Sequence, residues 1–170
     1  QNTCDRNLEY LDNTNTDDTD DLLGNVLVTA KYEGESIVKN HPHKGTSDVC
    51  TALARSFADI GDIVRGKDMF KRNDKVENGL REVFKKIKDD LKKQAIIDYD
   101  NDPNYYKLRE AWWKANRDQV WRAITCEASD KANFFRKISE DTRTFENAGK
   151  CRRHDNSVPT NLDYVPQFLR

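Results

Sequence analysis

Apolar side chains recur every three to four positions in four separate stretches of the chain, and each stretch predicts one amphipathic helix. In the first, Leu22, Leu23, Val26, Leu27, Ala30, Ile37 and Val38 follow the helical period. Asp20 and Asp21 favour its start through the helix dipole, and it ends before Pro42. Ser47 can cap a second helix carrying Val49, Cys50, Leu53, Ala54, Phe57, Ile60 and Val64 along one side. Within it Gly61 marks a close approach between helices, and Gly66 marks the helix end. After a charged connector over 71–75, Val76, Leu80, Val83, Phe84, Ile87 and Leu91 predict a third helix from Val76 to Leu91 or as far as Ile97.

The fourth stretch, Asp102 to Cys126, holds all three tryptophans and is expected to be the buried helix around which the others pack. Asp102 suits an N-cap and Pro103 the first helical position, where no amide donor is needed. Leu108, Trp112 and Ala115 fall on one stripe, with Trp113, Val120 and Ile124 beside it. Tyr and Trp side chains bury roughly 150–250 Å² each, so a helix with Tyr105, Tyr106, Trp112, Trp113 and Trp121 can anchor several neighbours. A tryptophan stripe of this kind is a core feature before it is a ligand platform.

The remaining segments are less regular. Residues 1–21 are polar and read as a solvated loop. His41 to Thr46 reads as a turn, and its two histidines, His41 and His43, have no carboxylate or cysteine nearby to complete a metal site. Phe134, Phe135 and Ile138 suggest a short helix or turn, followed by a polar loop to Gly149. The pattern that begins at Val165, Phe168 and Leu169 stops at Arg170, as in a piece of a longer protein.

Composition tempers the helical reading. Only 36% of residues are hydrophobic, 35% are charged and the mean hydropathy is -0.96. That is thin for a single 170-residue domain, so crosslinks or neighbouring domains are expected to contribute. Cys4, Cys50, Cys126 and Cys151 lack zinc-finger spacing and are better read as disulfide formers than as metal ligands or reduced thiols. Four cysteines allow three connectivities, and pairing Cys50 with Cys126 would close a loop worth roughly 4–5 kcal/mol in a chain-entropy description. No apolar run is long enough to span a bilayer.

The net charge of -1 conceals an asymmetry: residues 1–21 carry seven acids and one base, leaving 28 bases against 23 acids elsewhere. A wholly basic nucleic-acid binder is excluded, but a polyanion can be met locally. Arg81, Lys85, Lys88 and Lys92 fall in one row on the third helix, with Lys86 and Lys93 beside it. Such a row can meet sulfate or phosphate groups along a polymer; the alternative is a solvated face partly neutralised by Asp89 and Asp90. Lys114, Arg117 and Arg122 form a second basic candidate, and Lys150, Arg152 and Arg153 a third. Arg55, Asp59, Asp62 and Arg65 read as a structural ion-pair network. No phosphate-cradling glycine loop, metal-ligand helix motif or nucleophile with its base is present, so neither a catalytic residue nor a cofactor is assigned.

Three blocks carry a resemblance: A-R-S-F-A-D-I-G-D-I-V-R-G-K-D at Ala54 to Asp68, L-R-E-A-W-W-K-A-N-R-D-Q-V-W-R-A-I-T-C at Leu108 to Cys126, and V-P-T-N-L-D-Y-V-P-Q-F-L-R at Val158 to Arg170. C-D-R-N-L-E at Cys4 to Glu9 and A-K-Y-E-G at Ala30 to Gly34 add to them. Together they resemble the Duffy-binding-like adhesion domains of malaria parasites, most closely the N-terminal alpha class of the Plasmodium falciparum erythrocyte membrane protein 1 family. The resemblance implies an all-α, disulfide-stapled helical bundle with long loops. It implies a partial domain over 1–170: a leader from the first subdomain over 1–21, the helical second subdomain over 22–150, and the start of the link to an absent third subdomain over 151–170. It further implies that Cys50 pairs with Cys126. Cys4 and Cys151 would bond near or beyond the edge of this piece, and the family's usual Cys-Arg-Cys is here Cys151-Arg152-Arg153.

Functionally the resemblance implies a non-enzymatic adhesion module on the outer face of the infected erythrocyte membrane, held there through a larger membrane-anchored protein. Its partners would be an erythrocyte surface receptor, engaged in rosetting, and a sulfated glycosaminoglycan, heparan sulfate or heparin, with no nucleic acid. The alternative is a scaffold or antigenic unit whose receptor site lies in the missing subdomains.

Overall fold

A computed structural model of the chain describes residues 18–42, 47–67, 73–129, 132, 135–137, 143–145, 147–153 and 158–170. Cys4 and His43 therefore lie outside the described residues, as do Phe134 and Ile138. Four α-helices carry the architecture among the described residues: α1 (Thr19–Asn40), α2 (Ser47–Arg65), α3 (Asp74–Lys93) and α4 (Tyr106–Ile124). The helical bundle is the expected fold class. Two small antiparallel hairpins add to it, pairing β1 (Phe135–Lys137) with β2 (Arg143–Phe145) and β3 (Asn147–Gly149) with β4 (Arg152–Arg153). The short helix or turn expected around Phe135 is thus strand at 135–137, and part of the expected polar loop is strand as well. A three-residue strand is fixed by its partner across the hairpin, which local periodicity does not encode.

Helix starts and stops follow the capping chemistry. Asp18 accepts a hydrogen bond from the Asp21 amide at 2.9 Å at the start of α1, and Asn73 accepts from the Lys75 and Val76 amides at 3.0 and 3.3 Å at the start of α3. Helix α3 ends at Lys93 because Ala95 turns left-handed, with φ 64°. Helix α2 begins at Ser47 and ends before Gly66, which takes φ 74°.

The α4 start departs from expectation in detail. Asp102 does cap it, but its two carboxylate oxygens accept from the amides of Lys107 and Leu108, each at 2.9 Å. A 3-10 turn at Pro103–Tyr105 intervenes, with Asn104 and Tyr105 both left-handed at φ 55° and 61°. The helix proper therefore starts four residues after its capping side chain.

Helix α4 is the hub, touching α1, α2 and α3. Trp112, Trp113 and Trp121 are all buried, and Phe57 of α2 packs between the latter two with ring centroids 5.1 Å from each, tilted on Trp113 and edge-on to Trp121. Ala115 is a correction: it is exposed, since the buried face is set by Leu108, Trp112, Trp113, Val120, Trp121 and Ile124 and leaves position 115 on the far side. Tyr106 is also largely exposed. Two glycines permit the close packing. An added Cβ at Gly34 of α1 would sit 1.9 Å from the Ile124 carbonyl oxygen, and one at Gly61 would meet the Trp113 ring at 2.7 Å.

The disulfide corrects the pairing drawn from the family resemblance. Cys50 bonds Cys151, with a Cα separation of 5.4 Å, and Cys126 is a half-exposed free thiol. The reason is the end of α4. Its last helical residue is Ile124, so Cys126 lies on the following turn. Cys151 is instead carried to the buried Cys50 by backbone bonds, donating its amide to Ala132 at 2.9 Å and accepting from Trp121 Nε1 at 3.0 Å.

Candidate functional site

The three basic clusters fare differently once folded. In the second, Arg117 is turned inward: its Nε and Nη2 each donate to Asp163 at 2.7 Å, and Nη2 also donates to the Thr160 carbonyl at 2.9 Å. Burial alone would lower the Arg117 pKa, but the Asp163 carboxylate raises it on balance. Only Lys114 and Arg122 remain as exposed cations there. In the third cluster, Arg152 donates from Nη2 to the Arg122 carbonyl at 2.9 Å and from Nε to Thr125 Oγ1 at 3.0 Å, while Lys150 Nζ donates to the Cys126 carbonyl at 3.2 Å. These cations complete the C-terminal end of α4. Burial presses the Arg152 pKa down. The Arg153 side chain lies outside the described residues.

The α3 row is the cluster that faces outward. Lys85 and Lys92 are exposed, and Lys88 and Lys86 are half-exposed. Acidic groups attend part of the row. Arg81 Nε donates to Glu77 at 2.8 Å, Lys92 lies 3.9 Å from Asp100, and Lys93 lies 3.9 Å from Asp90. Exposed pairs at that separation are screened and weak, so the field of the row survives them.

Beside the row a shallow concavity of about 350 Å³ is lined by Arg81, Glu82, Lys85, Lys88, Asp102, Asn104 and Tyr105. The left-handed turn before α4 places Asn104 and Tyr105 against α3, and the Lys88 ammonium lies 5.8 Å from the centre of the Tyr105 ring. Tyr105 thus belongs to the surface by α3 as well as packing on the core, where the sequence pattern had assigned it. Asn104 and Glu82 escaped the sequence reading; the signal available was the Pro103-Asn104 pair, since Asn tolerates the left-handed region.

Under this surface lies a buried charge network. Arg109, fully buried, donates to both Glu77 oxygens at 2.7 and 3.1 Å and to the Ile63 and Val64 carbonyls at 3.1 and 2.6 Å. It thereby closes the end of α2 onto the start of α3. Arg65 similarly links Asp62, Glu110 and the Asp163 carbonyl, and Arg170 donates to Asp59 at 3.2 Å and to Asp62 at 2.5 Å. The expected network of Arg55, Asp59, Asp62 and Arg65 is therefore joined through Arg170, while Arg55 stays exposed. Among the described residues no three His, Cys, Asp or Glu side chains converge to hold a metal, and no helix is long and apolar enough to cross a membrane.

The model of the Duffy binding domain family matches residues 1–170. The chain belongs to that family. Among solved relatives of this Duffy binding domain, the NTS-DBL1(alpha-1) domain of the Plasmodium falciparum membrane protein 1 from the varO strain is 55% identical, with a TM-score of 0.86 over 98% of this chain and 39% of that one. The alpha-class resemblance is thus matched in both sequence and fold. An ICAM-1-bound DBLbeta domain is 36% identical, with a TM-score of 0.66 over 95% of this chain and 39% of that one. The Duffy receptor of Plasmodium vivax is 27% identical over 118 residues, 67% of this chain and 10% of the receptor. The chain therefore spans about a tenth of that curated relative.

Proposed function

We propose that this Duffy binding domain segment is part of a host-cell adhesion module, displayed outside the infected erythrocyte on a larger membrane-anchored protein. In this reading it engages erythrocyte receptors, as in rosetting, and holds heparan sulfate or heparin through the outward face of α3. Relatives named as a Duffy receptor and as a domain bound to ICAM-1 support receptor adhesion as the class of function. The observation that carries the glycan reading is the contrast among the three clusters: Lys85 and Lys92 are exposed and Lys88 is half-exposed with a 3.4 Å bond to the Asp100 carbonyl, while Arg117 and Arg152 are each held by two or more internal hydrogen bonds. Lysines spaced along one helix face meet successive anionic groups of an extended polymer, with binding that weakens as salt screens it.

The test is elution from immobilised heparin over a salt gradient, beside a Lys85→Glu, Lys88→Glu, Lys92→Glu variant whose fold is checked by circular dichroism. Retention beyond physiological salt by the parent, and none by the variant, is the expected result. Flow-through of both at low salt would move the receptor site away from this segment. That second reading, a scaffold or antigenic unit, draws on the carboxylates of Glu77, Asp90 and Asp100 that flank the row.

A further inference from the structure

We propose that the concavity between α3 and the left-handed turn at Asn104 and Tyr105 is a subsite for a single acidic pyranose residue of a glycan. The inference rests on the reading of the segment as glycan-binding and narrows it from a charged face to a pocket with a sugar-specific component.

The lining is chemically mixed in a way that a simple polyanion does not require. Arg81, Lys85 and Lys88 supply positive charge from one wall. Arg81 uses its Nε on Glu77 but presents a side chain 34% exposed, and Lys85 is exposed. Glu82, also exposed, contributes a carboxylate to the same wall. For a chain of bare phosphates or sulfates that carboxylate is a repulsive element, whereas a sugar hydroxyl can donate to it. The Asp102 carboxylate accepts from the Lys107 and Leu108 amides, so its charge is set against the amide end of α4 rather than left unpartnered in the pocket. Asn104 adds an amide with both donor and acceptor capacity, and Tyr105 an aromatic ring beside the Lys88 ammonium. An apolar ring surface suits the C–H face of a pyranose and offers little to a phosphate.

Volume agrees with this class. About 350 Å³ lies at the small end of the ~300–1,000 Å³ range of small-molecule clefts and accommodates a sugar residue rather than a polymer segment. The backbone makes the site rigid. Two consecutive non-glycine residues in the left-handed region are held by the Asp102 cap and by the Tyr105 amide donating to the Asp102 carbonyl at 3.2 Å. An acidic pyranose occurs within sulfated polysaccharides and at the ends of sialylated glycans, and the pocket recognises the chemistry they share.

The experiment is calorimetric titration of the 170-residue chain with three probes: a heparin-derived tetrasaccharide, sialyllactose and inorganic tripolyphosphate. Tyr105→Asn removes the ring while suiting the left-handed backbone, and Tyr105→Phe retains it. At least one of the two oligosaccharides is expected to lose about tenfold in affinity in Tyr105→Asn and little in Tyr105→Phe, with tripolyphosphate unchanged in both. Which oligosaccharide binds tells polymer interior from glycan end. Lys85→Glu inside the pocket and Lys93→Glu outside it give a second measure that leaves the core untouched: only the former is expected to weaken the oligosaccharide. Equal binding by the parent and Tyr105→Asn, equal loss in the two lysine variants, or binding by neither oligosaccharide overturns the pocket. If the parent then still needs high salt to leave heparin, the basic face stands without the subsite. Ring-dependent binding of sialyllactose with no retention on heparin leaves the subsite and removes the polysaccharide.

Discussion

Arg109 and Glu77, thirty-two positions apart, form a buried bidentate pair whose two contacts measure 2.7 and 3.1 Å. The guanidinium has no exposed surface and also donates from Nε and Nη2 to the last turn of α2, so the pair locks three helices together. Removing Arg109 leaves the buried Glu77 with Arg81 but without its bidentate partner, and leaves the Ile63 and Val64 carbonyls without this donor. Arg109→Met is expected to cost about 3–5 kcal/mol, read as a lower urea midpoint at neutral pH. A midpoint within error of the parent would show that the pair holds nothing together.

The same pair sets the acid limb of stability. Burial alone would raise the Glu77 pKa, but hydrogen bonding and charge from Arg109, then Arg81, hold it below its ordinary 4.5. For Glu110 burial likewise raises, and Lys67 and Arg65 overturn it. A depressed folded pKa gives stability that is fully present above the unfolded value and lost as pH falls through the folded one. The urea midpoint is therefore expected to fall below about pH 4.5, with a shallower fall in Glu77→Gln, whose neutral amide has no proton to gain. An identical acid limb in the variant would assign it to other carboxylates.

Gly24, Gly34 and Gly61 are all helical glycines, yet they should respond differently to alanine. Gly24 has nothing within 4 Å of an added Cβ, so Gly24→Ala is expected to stabilise by about 0.5–1 kcal/mol. Gly34→Ala would drive a methyl into the Ile124 carbonyl and should destabilise by about 1–3 kcal/mol or more, since backbone cannot rotate aside. Gly61→Ala meets the Trp113 ring and should fall between them. Thermal midpoints of the three variants give the order directly.

The cysteine pattern is open to mass spectrometry. Alkylation of the native protein is expected to label Cys126, while proteolysis without reduction recovers Cys50 and Cys151 in one linked peptide pair. A Cys50–Cys126 link would restore the pairing that the family resemblance implied. Cys151→Ser is expected to cost about 2–5 kcal/mol, because the bridge closes a separation of 101 residues.

Asp163 holds the last described segment to α4, accepting from Trp113 Nε1 at 2.8 Å and twice from Arg117. Asp163→Ala leaves an indole N–H and a guanidinium without their acceptor, at a cost of about 3–5 kcal/mol. Tryptophan emission should shift to the red at a lower urea concentration than in the parent.

Much of this was legible along the chain because it is local. The 3.6-residue period put Leu22, Val26, Phe57, Leu80, Phe84 and Trp113 in the core, where each is found, and Pro42 and Gly66 marked where α1 and α2 stop, while the capping roles of Asp18 and Asn73 were not singled out. Gly61 and Gly66 announced a close approach and a helix end from their type alone. The long ordered blocks named the family. The outward α3 row was legible too, being one face of one helix.

What required the folded chain joins residues far apart in sequence. Periodicity states that Cys50 is buried but not which cysteine meets it; that depended on α4 stopping at Ile124 and on Trp121 Nε1 donating to the Cys151 carbonyl. Arg117 and Lys114 look alike as letters, and only Asp163, 46 positions on from Arg117, turns one inward. Likewise Tyr105 read as an anchor of the buried helix from the size of its side chain, while two left-handed residues brought its ring to the edge of α3. Spacing fixes which face of an element is apolar. The path of the backbone between elements decides which faces meet.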